Sequence, residues 1–286
     1  MREVIQLYTM LFEFTKRYFP ITARPHLQSN EHTEILPCDI LRPYIRCFWG
    51  TVGNDAERSV SGYPDLIIPD TCMDIIFNTD SSDNCIGSGF CTIDEKAHYA
   101  NRTHGLSAYS TFAVRFYAWS AVLFTDHSLS GSKNGCLDAD YYFEGIKNDL
   151  LPAIINASSL YERSEIASRY LLKKLDTNRI NNNLMNAVYD IISTNGTIES
   201  AELAERCAIS LRQLERIFDE NMGVSPKSFS SLVRYQMLWQ ELCSSPNANM
   251  LDLSVKYGYY DQAHLLNEFK KRHTITPKQA IELAQK

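Results

Sequence analysis

A repeat near the end of the chain constrains its fold more than any other feature. Ser210-Leu-Arg-Gln-Leu214-Glu-Arg-Ile-Phe218 and Gly223-Val-Ser-Pro226 reappear as Asp261-Gln-Ala-His-Leu265-Leu-Asn-Glu-Phe269 and Thr274-Ile-Thr-Pro277, each landmark 51 residues later. A shared period over several positions implies one supersecondary unit built twice.

Within the first copy, Thr197 is placed to cap a helix that carries Glu199 and Glu202 in its first turn, where negative charge favours the positive end of the helix dipole. Ala201, Leu203, Ala204 and Cys207 form its expected inner face, and Ala208 and Ile209 a tight turn. Ser210 with Gln213 has the form of a capping box that starts a second helix. In that helix Leu214, Ile217 and Phe218 point to the core, while Arg212, Glu215 and Arg216 share the opposite face. The second copy follows the same plan. Leu251, Leu253 and Val255 give an apolar helix, Gly258 lies in the turn, and Asp261 caps a helix with Leu265 and Phe269 inside. Its outward residues include Gln262, Ala263, His264 and Asn267, followed by Lys270, Lys271 and Arg272.

Two short helices joined by a tight turn can place the second in a DNA major groove. The side chains suit that use: Gln and Asn pair bidentately with adenine, Arg with guanine, and Ala touches a thymine methyl, each good bidentate pair giving about 1 to 3 kcal/mol of discrimination. Lys270, Lys271 and Arg272 stand where phosphates would fix the register. Between the copies, Ser225 and Pro226 begin a helix with the apolar stripe Phe229, Leu232, Val233, Leu238 and Leu242. Such a rod would set the two heads on successive major-groove faces, about 34 Å apart.

These residues resemble the DNA-binding domain of the AraC/XylS family of bacterial regulators, most diagnostically in Gly258-Tyr-Tyr-Asp-Gln-Ala-His-Leu265, Glu268-Phe-Lys270 and Thr276-Pro277. The resemblance covers roughly residues 184–286. Asn267 stands where the family often has Arg, which puts one contact in doubt. Thr274 stands where it often has Gly, which suggests an altered turn, since Thr tolerates a left-handed backbone poorly. Family habit implies a sequence-specific transcription regulator of promoter DNA, more often an activator, acting with RNA polymerase and as a homodimer. The first part is similar, less distinctly, to the sensor half of such regulators, a cupin-like β-barrel that commonly binds a small effector. Leu41-Arg-Pro-Tyr-Ile-Arg-Cys-Phe-Trp49, Pro69-Asp-Thr-Cys-Met-Asp-Ile-Ile-Phe77 and Phe112-Ala-Val-Arg-Phe-Tyr-Ala-Trp119 carry that likeness.

Independently of the resemblance, residues 36–119 read as short apolar runs broken by Gly50, Gly53, Asn54, Gly62, Pro64, Pro69, Asn84, Gly87 and Gly89, the punctuation of a β-barrel or sandwich. From Leu137 onward the pattern is helical. Leu160, Ile166, Ala167, Tyr170, Leu171 and Leu175 form a stripe that leaves Glu162, Arg163, Lys173 and Lys174 outside, and this stripe either dimerises or packs on the β-domain. The polar run Asp176–Asn183 marks a linker. The expected fold is therefore α+β in two domains, with a β-rich sensor over 1–136, a helical dimerisation segment and linker over 137–183, and an all-α double helix-turn-helix over 184–286, its units at about 197–221 and 250–273.

Alternation along Ala113, Arg115, Tyr117 and Trp119 puts an Arg, a Tyr and a Trp on one strand face. With Trp49 and Asp74 they are the candidate effector contacts, and aromatic planes with a few polar groups suit a carbohydrate or another small organic molecule. The alternative is that the aromatics fill the core and Arg115 pairs with Asp74.

A net charge of −6 over 286 residues argues against a nucleic-acid binder only if charge is evenly spread, and about −1 of it falls on residues 185–286. Met1 leads into an amphipathic pattern (Val4, Ile5, Leu7, Met10, Leu11, Phe14, interrupted by Gln6, Glu13 and Lys16), not a signal peptide, and no apolar run reaches membrane-spanning length, so a cytoplasmic location is expected. No cofactor and no enzymatic activity are expected. A cupin-like metal enzyme would need clustered ligands, and His26, His32, His98, His104 and His127 contain no His-x-His pair. A DNA-repair activity would use an activated cysteine, yet none of Cys38, Cys47, Cys72, Cys85, Cys91, Cys136, Cys207 and Cys243 has Cys or His ligands nearby in sequence. The remaining alternative is a thiol-responsive regulator, with Cys85 and Cys91, close in sequence, lying near one another on a hairpin.

Overall fold

A computed structural model describes residues 18–21, 32–54, 66–80, 85–99 and 108–285. The amphipathic stretch near Met1, His26 and His104 lie outside the described residues. The chain is α+β, a sheet-rich region followed by a helical one.

The strands are β1 (His32–Ile35), β2 (Ile45–Asn54), β3 (Leu66–Ile67), β4 (Cys72–Asp80), β5 (Cys85–Cys91), β6 (His98–Tyr99), β7 (Ala108–Tyr117) and β8 (Cys136–Leu137). Six form an antiparallel sheet in the order β1-β2-β7-β4-β5-β8, and β3 pairs with β6 in a separate ribbon. Alternation sorts β7 into two faces. Phe112, Val114 and Phe116 point one way, and Phe112 stacks between Phe48 and Phe77 at 6.1 and 6.3 Å. Arg115 and Tyr117 point the other way and are also buried, so both faces of the central strand are covered. Trp119 departs from the expectation. The strand stops at Tyr117, and Ala118–Ala121 forms a short helix, α1, which lays the Trp119 ring on Tyr117 at 4.8 Å.

After β8 come α2 (Ala139–Tyr142), α3 (Leu151–Asn156) and α4 (Leu160–Lys174). The apolar side of α4 packs on β2 and β7, which is the second of the two readings of that stripe. Arg163, expected outside, is buried, its guanidinium donating to Ser110 Oγ at 2.7 Å. The polar run that follows is tied down: Asp176 N–H donates to the Leu123 carbonyl, and the Arg179 guanidinium donates to the Thr125 carbonyl. Helix α5 (Asn182–Ser193) then starts on its Asn181 cap.

The repeat folds as two helix pairs about a rod: α6 (Ser200–Arg206) with α7 (Leu211–Met222), α8 (Pro226–Ser244), and α9 (Met250–Lys256) with α10 (Gln262–His273), closed by α11 (Pro277–Ala284). Ser210 and Asp261 cap α7 and α10 as expected, accepting from Gln213 N–H at 3.2 Å and His264 N–H at 2.6 Å. Thr197 is not a cap. Its hydroxyl donates to the Thr194 carbonyl, and the residue in the cap position of α6 is Glu199, which makes no side-chain cap bond. Ala201, Leu251 and Val255, expected inside, are exposed, leaving Leu203, Ala204 and Leu253 to anchor the first helix of each pair. Both turns use the same backbone solution, a left-handed residue at Ala208 (φ 54°) and Gly258 (φ 63°).

The end of α10 keeps the turn that ends α7. Thr274 takes φ 67°, as Gly223 takes φ 68° at the matching position. The turn expected to be altered is therefore preserved, at the cost of a strained left-handed Thr. Replacing Thr274 by Gly relieves about 1 to 2 kcal/mol of strain and gives back part of it as chain entropy, so T274G is expected to raise unfolding free energy by about 1 kcal/mol in urea titration.

His273 is buried against Phe269 and Trp239 and bonded to the Tyr235 hydroxyl at 2.7 Å; burial holds its pKa down at about 4. Because the folded value lies below the free imidazole's ~6.5, the unfolded chain takes up the proton first. His273 therefore contributes fully above about pH 6.5, and about 3 kcal/mol is lost as pH falls to about 4. Denaturation curves across that range should slope for the native chain and flatten for His273→Phe.

Candidate nucleic-acid interface and the network behind it

The outward faces of α7 and α10 carry the polar residues expected there. Arg212, Glu215 and Arg216 are exposed on α7, and Gln262, Ala263, His264, Asn267, Lys270 and Lys271 on α10. Leu214, Ile217 and Phe218 below the first face, and Leu265 and Phe269 below the second, are buried, so each face is held by its own core. Neither Arg212 nor Arg216 is in an ion pair with another described residue. Lys271 approaches Glu268 at 3.6 Å on the surface. His264 is oriented by the Tyr260 N–H, which donates to Nδ1 at 3.2 Å, and by the edge of Tyr259.

Arg272 breaks the pattern. It is half-buried, its backbone carbonyl accepts from Ala97 N–H at 2.7 Å, and its guanidinium donates to the Glu95 carbonyl at 3.4 Å. Helical phase turns it from the lysines toward the sheet-rich region.

Helix α8, 19 residues and about 28 Å long, connects the two faces. The expected stripe Phe229, Leu232, Val233, Leu238 and Leu242 is buried, and so are Tyr235, Gln236 and Trp239, which the stripe does not include. The second buried side belongs to the sheet-rich region. Phe229 meets Trp119 edge to face at 6.4 Å. Gln236, wholly buried, donates to the carbonyls of Pro69 (2.7 Å) and Ile21 (3.1 Å) and accepts from Ile21 N–H (2.9 Å). A single buried Gln reads as a flaw in a stripe until the partner segment is known.

From Pro69 the connection continues into the residues expected to line an effector site. Arg115 is buried between two carboxylates, Asp70 at 2.5 Å and Asp74 at 2.6 Å. Asp74 also accepts from Trp49 Nε1 at 2.9 Å, and Asp70 from Cys72 N–H at 2.6 Å. The structure thus brings Trp49, Asp74 and Arg115 together and adds Asp70, while Tyr117 and Trp119 stack at the contact with α8. Asp70 was legible only as the second carboxylate of Asp70-Thr-Cys-Met-Asp74. Among the described residues, no group of three His, Cys, Asp or Glu could hold a metal ion, and no helix is long and apolar enough to cross a membrane.

Residues 203–282 match the family described as Helix-turn-helix domain, and residues 33–138 a family described as a domain of unknown function. An activator named RhaS from Yersinia pestis is 30% identical over 81 residues, 28% of this chain and 29% of that protein. An uncharacterized HTH-type transcriptional regulator from Haemophilus influenzae is 31% identical over 78 residues, 27% of this chain and 26% of that one. The chain spans under a third of the length of these curated relatives. Among solved structures, a regulator with an AraC-type DNA-binding domain from Chromobacterium violaceum is 20% identical, with TM-score 0.33, over 36% of this chain and 91% of that one. ToxT from Vibrio cholerae is 10% identical, with TM-score 0.40, over 82% and 98%.

The helical region is thus a double helix-turn-helix DNA-binding domain. Over residues 203–282 it is similar to the corresponding part of the RhaS activator and of the other HTH-type transcriptional regulator.

Removing Arg115 would leave Asp70 and Asp74 facing each other without a counter-charge. Arg115→Met is expected to cost about 3 to 5 kcal/mol at neutral pH, measured by thermal or urea unfolding, because breaking a buried pair strands the remaining charge.

Proposed function

We propose that the chain is an effector-controlled transcription activator. In this reading residues 1–136 sense a small molecule, 137–183 support a homodimer, and 184–286 bind double-stranded promoter DNA and engage RNA polymerase in the cytoplasm, with no catalytic step and no cofactor. The observation that carries it is the pair of exposed polar faces on α7 and α10, each seated on its own core and joined by one rod. Arg212, Glu215, Arg216, Gln262, Ala263, His264 and Asn267 read base edges; Lys270 and Lys271 hold phosphates. Arg272 reaches DNA only if the sheet-rich region releases it.

The effector acts by favouring one arrangement of the two regions, since a ligand that binds both equally shifts nothing. Its contacts are Trp49, Asp74, Arg115, Tyr117 and Trp119, with carbohydrates the first class to test. The run Trp49–Asp74–Arg115–Asp70–Pro69–Gln236 supports the coupling, because a polar ligand competing for Arg115 would disturb the segment that bonds the rod.

Arg212→Ala and Arg216→Ala are expected to weaken binding to a selected operator by about 1 to 3 kcal/mol and to spare random DNA, whereas Lys271→Ala weakens both and lowers the salt slope by about one. Titration of labelled fragments at several salt concentrations tests this, and equal losses on operator and random DNA for the arginine variants would overturn the base-reading role.

A further inference from the structure

Cys85 and Cys91 are not near neighbours. They lie at opposite ends of β5, about 20 Å apart at a strand's rise per residue. The residue that faces Cys91 is Cys136, its register partner on β8, with the two sulfurs 3.0 Å apart. Thr92 N–H donates to the Gly135 carbonyl at 2.9 Å, so the adjacent Cys91–Cys136 pair is of the non-hydrogen-bonded kind, whose Cα atoms sit about 4.5 Å apart. That lies inside the range of about 4.4 to 6.8 Å that a disulfide requires, so little backbone movement is needed to close one. Gly89, two residues before Cys91 on the same strand face, makes the room: a Cβ there would sit 2.5 Å from Cys136 Sγ.

The two sulfurs differ in the way a reactive pair needs. Cys136 is exposed, and Cys91 is half-buried with its S–H donating to Cys136 Sγ. That bond holds the Cys136 thiol down at about 7, against burial, and pushes Cys91 up, so Cys136 is the attacking thiolate and Cys91 the resolving thiol.

What flanks the pair gives it a consequence. Directly after β5, Glu95 accepts from Ser228 of α8 at 3.0 Å and from Arg272 of α10, and Ala97 N–H bonds the Arg272 carbonyl. Directly before β8, Ser128 Oγ and Leu129 N–H donate to the Glu220 carbonyl of α7, and Ser130 bonds Asp219. Lys133 and Asn134 bind Glu95 and link the two segments. Cys91 and Cys136 therefore sit at the root of a bracket that grips both helix-turn-helix units.

We propose that Cys91 and Cys136 are a hydroperoxide-responsive thiol pair that closes into a reversible disulfide and stiffens this bracket, so that oxidation changes DNA binding. The Cys136 thiolate attacks the peroxide, the O–O bond breaks, and the leaving oxygen takes a proton to become water or an alcohol while Cys136 becomes a sulfenic acid. Cys91 sulfur then attacks the sulfenic sulfur, the S–S bond forms, and hydroxide leaves with the Cys91 proton as water. The two thiols lose two electrons and the peroxide gains them. An exposed disulfide of this kind is readily reduced again by a dithiol.

The thiol chemistry stands alone; its effect on DNA binding rests on the regulator reading above. The reduced full-length protein is treated with hydrogen peroxide, blocked with iodoacetamide under denaturing conditions and mapped by peptide mass spectrometry. Expected is a dithiothreitol-reversible peptide pair joining Cys91 to Cys136, lost in Cys136→Ser and unchanged in Cys38→Ser; Cys91→Ser should instead leave a dimedone-reactive Cys136. No linked pair, or linkage through Cys38 instead, overturns the proposal. In parallel, operator binding of the native chain is expected to shift by roughly fivefold or more on oxidation, and that of Cys136→Ser not at all. A linked pair with unchanged binding overturns the regulatory half, whereas no operator preference even when reduced overturns the regulator reading and leaves the thiol result intact.

Discussion

The rest of the molecule depends on α8 being buried on two sides at once. One side is the core of the double helix-turn-helix domain, where Phe229 meets Phe218 and Trp239 meets Phe269. The other is closed by Trp119, Pro69 and Ile21. A helix in that position cannot tilt without repacking both regions, because close-packed interiors transmit small shifts instead of absorbing them. The separation of the two exposed polar faces and the packing of the sheet-rich region are therefore set by the same side chains.

The polar groups in that contact decide its character. Gln236 has all its hydrogen bonds to backbone at Pro69 and Ile21, and Arg115 is neutralised by Asp74 and by Asp70, the residue after Pro69. An apolar contact of the same size would be indifferent to small ligands. A satisfied polar network is costly to leave half-made. The bracket around Glu95 and Ser128–Ser130 adds a second contact of the same kind, on the outer ends of α7 and α10.

Much of this was legible in the sequence where the rule is local. The repeat, the caps at Ser210 and Asp261, the inner residues of α7 and α10 and the exposed faces above them follow from periodicity and short-range hydrogen bonding. What could not be read was anything set by a neighbour distant in the chain. Arg163 is inside because Ser110 lies opposite, Gln236 is tolerated because Pro69 and Ile21 offer backbone partners, and Arg272 points inward because Glu95 is there. Leu251 and Val255 look like core to a helical wheel, yet a two-turn helix needs only Leu253 to dock. The cysteine pairing failed for a related reason: closeness in sequence suggested Cys85, whereas strand register chose Cys136.

The two copies of the repeat have diverged where only one of them is confined. At the end of α10, Thr274 is exposed and a side chain has space, so the left-handed bend costs only backbone strain. At the end of α7, a Cβ on Gly223 would sit 2.6 Å from both the Leu129 carbonyl and Ser132 Oγ. The first unit is therefore moulded to its neighbour and the second is not, so the halves of this duplication are no longer interchangeable, and transplanting the later helix end into the earlier position would wedge the two regions of the protein apart.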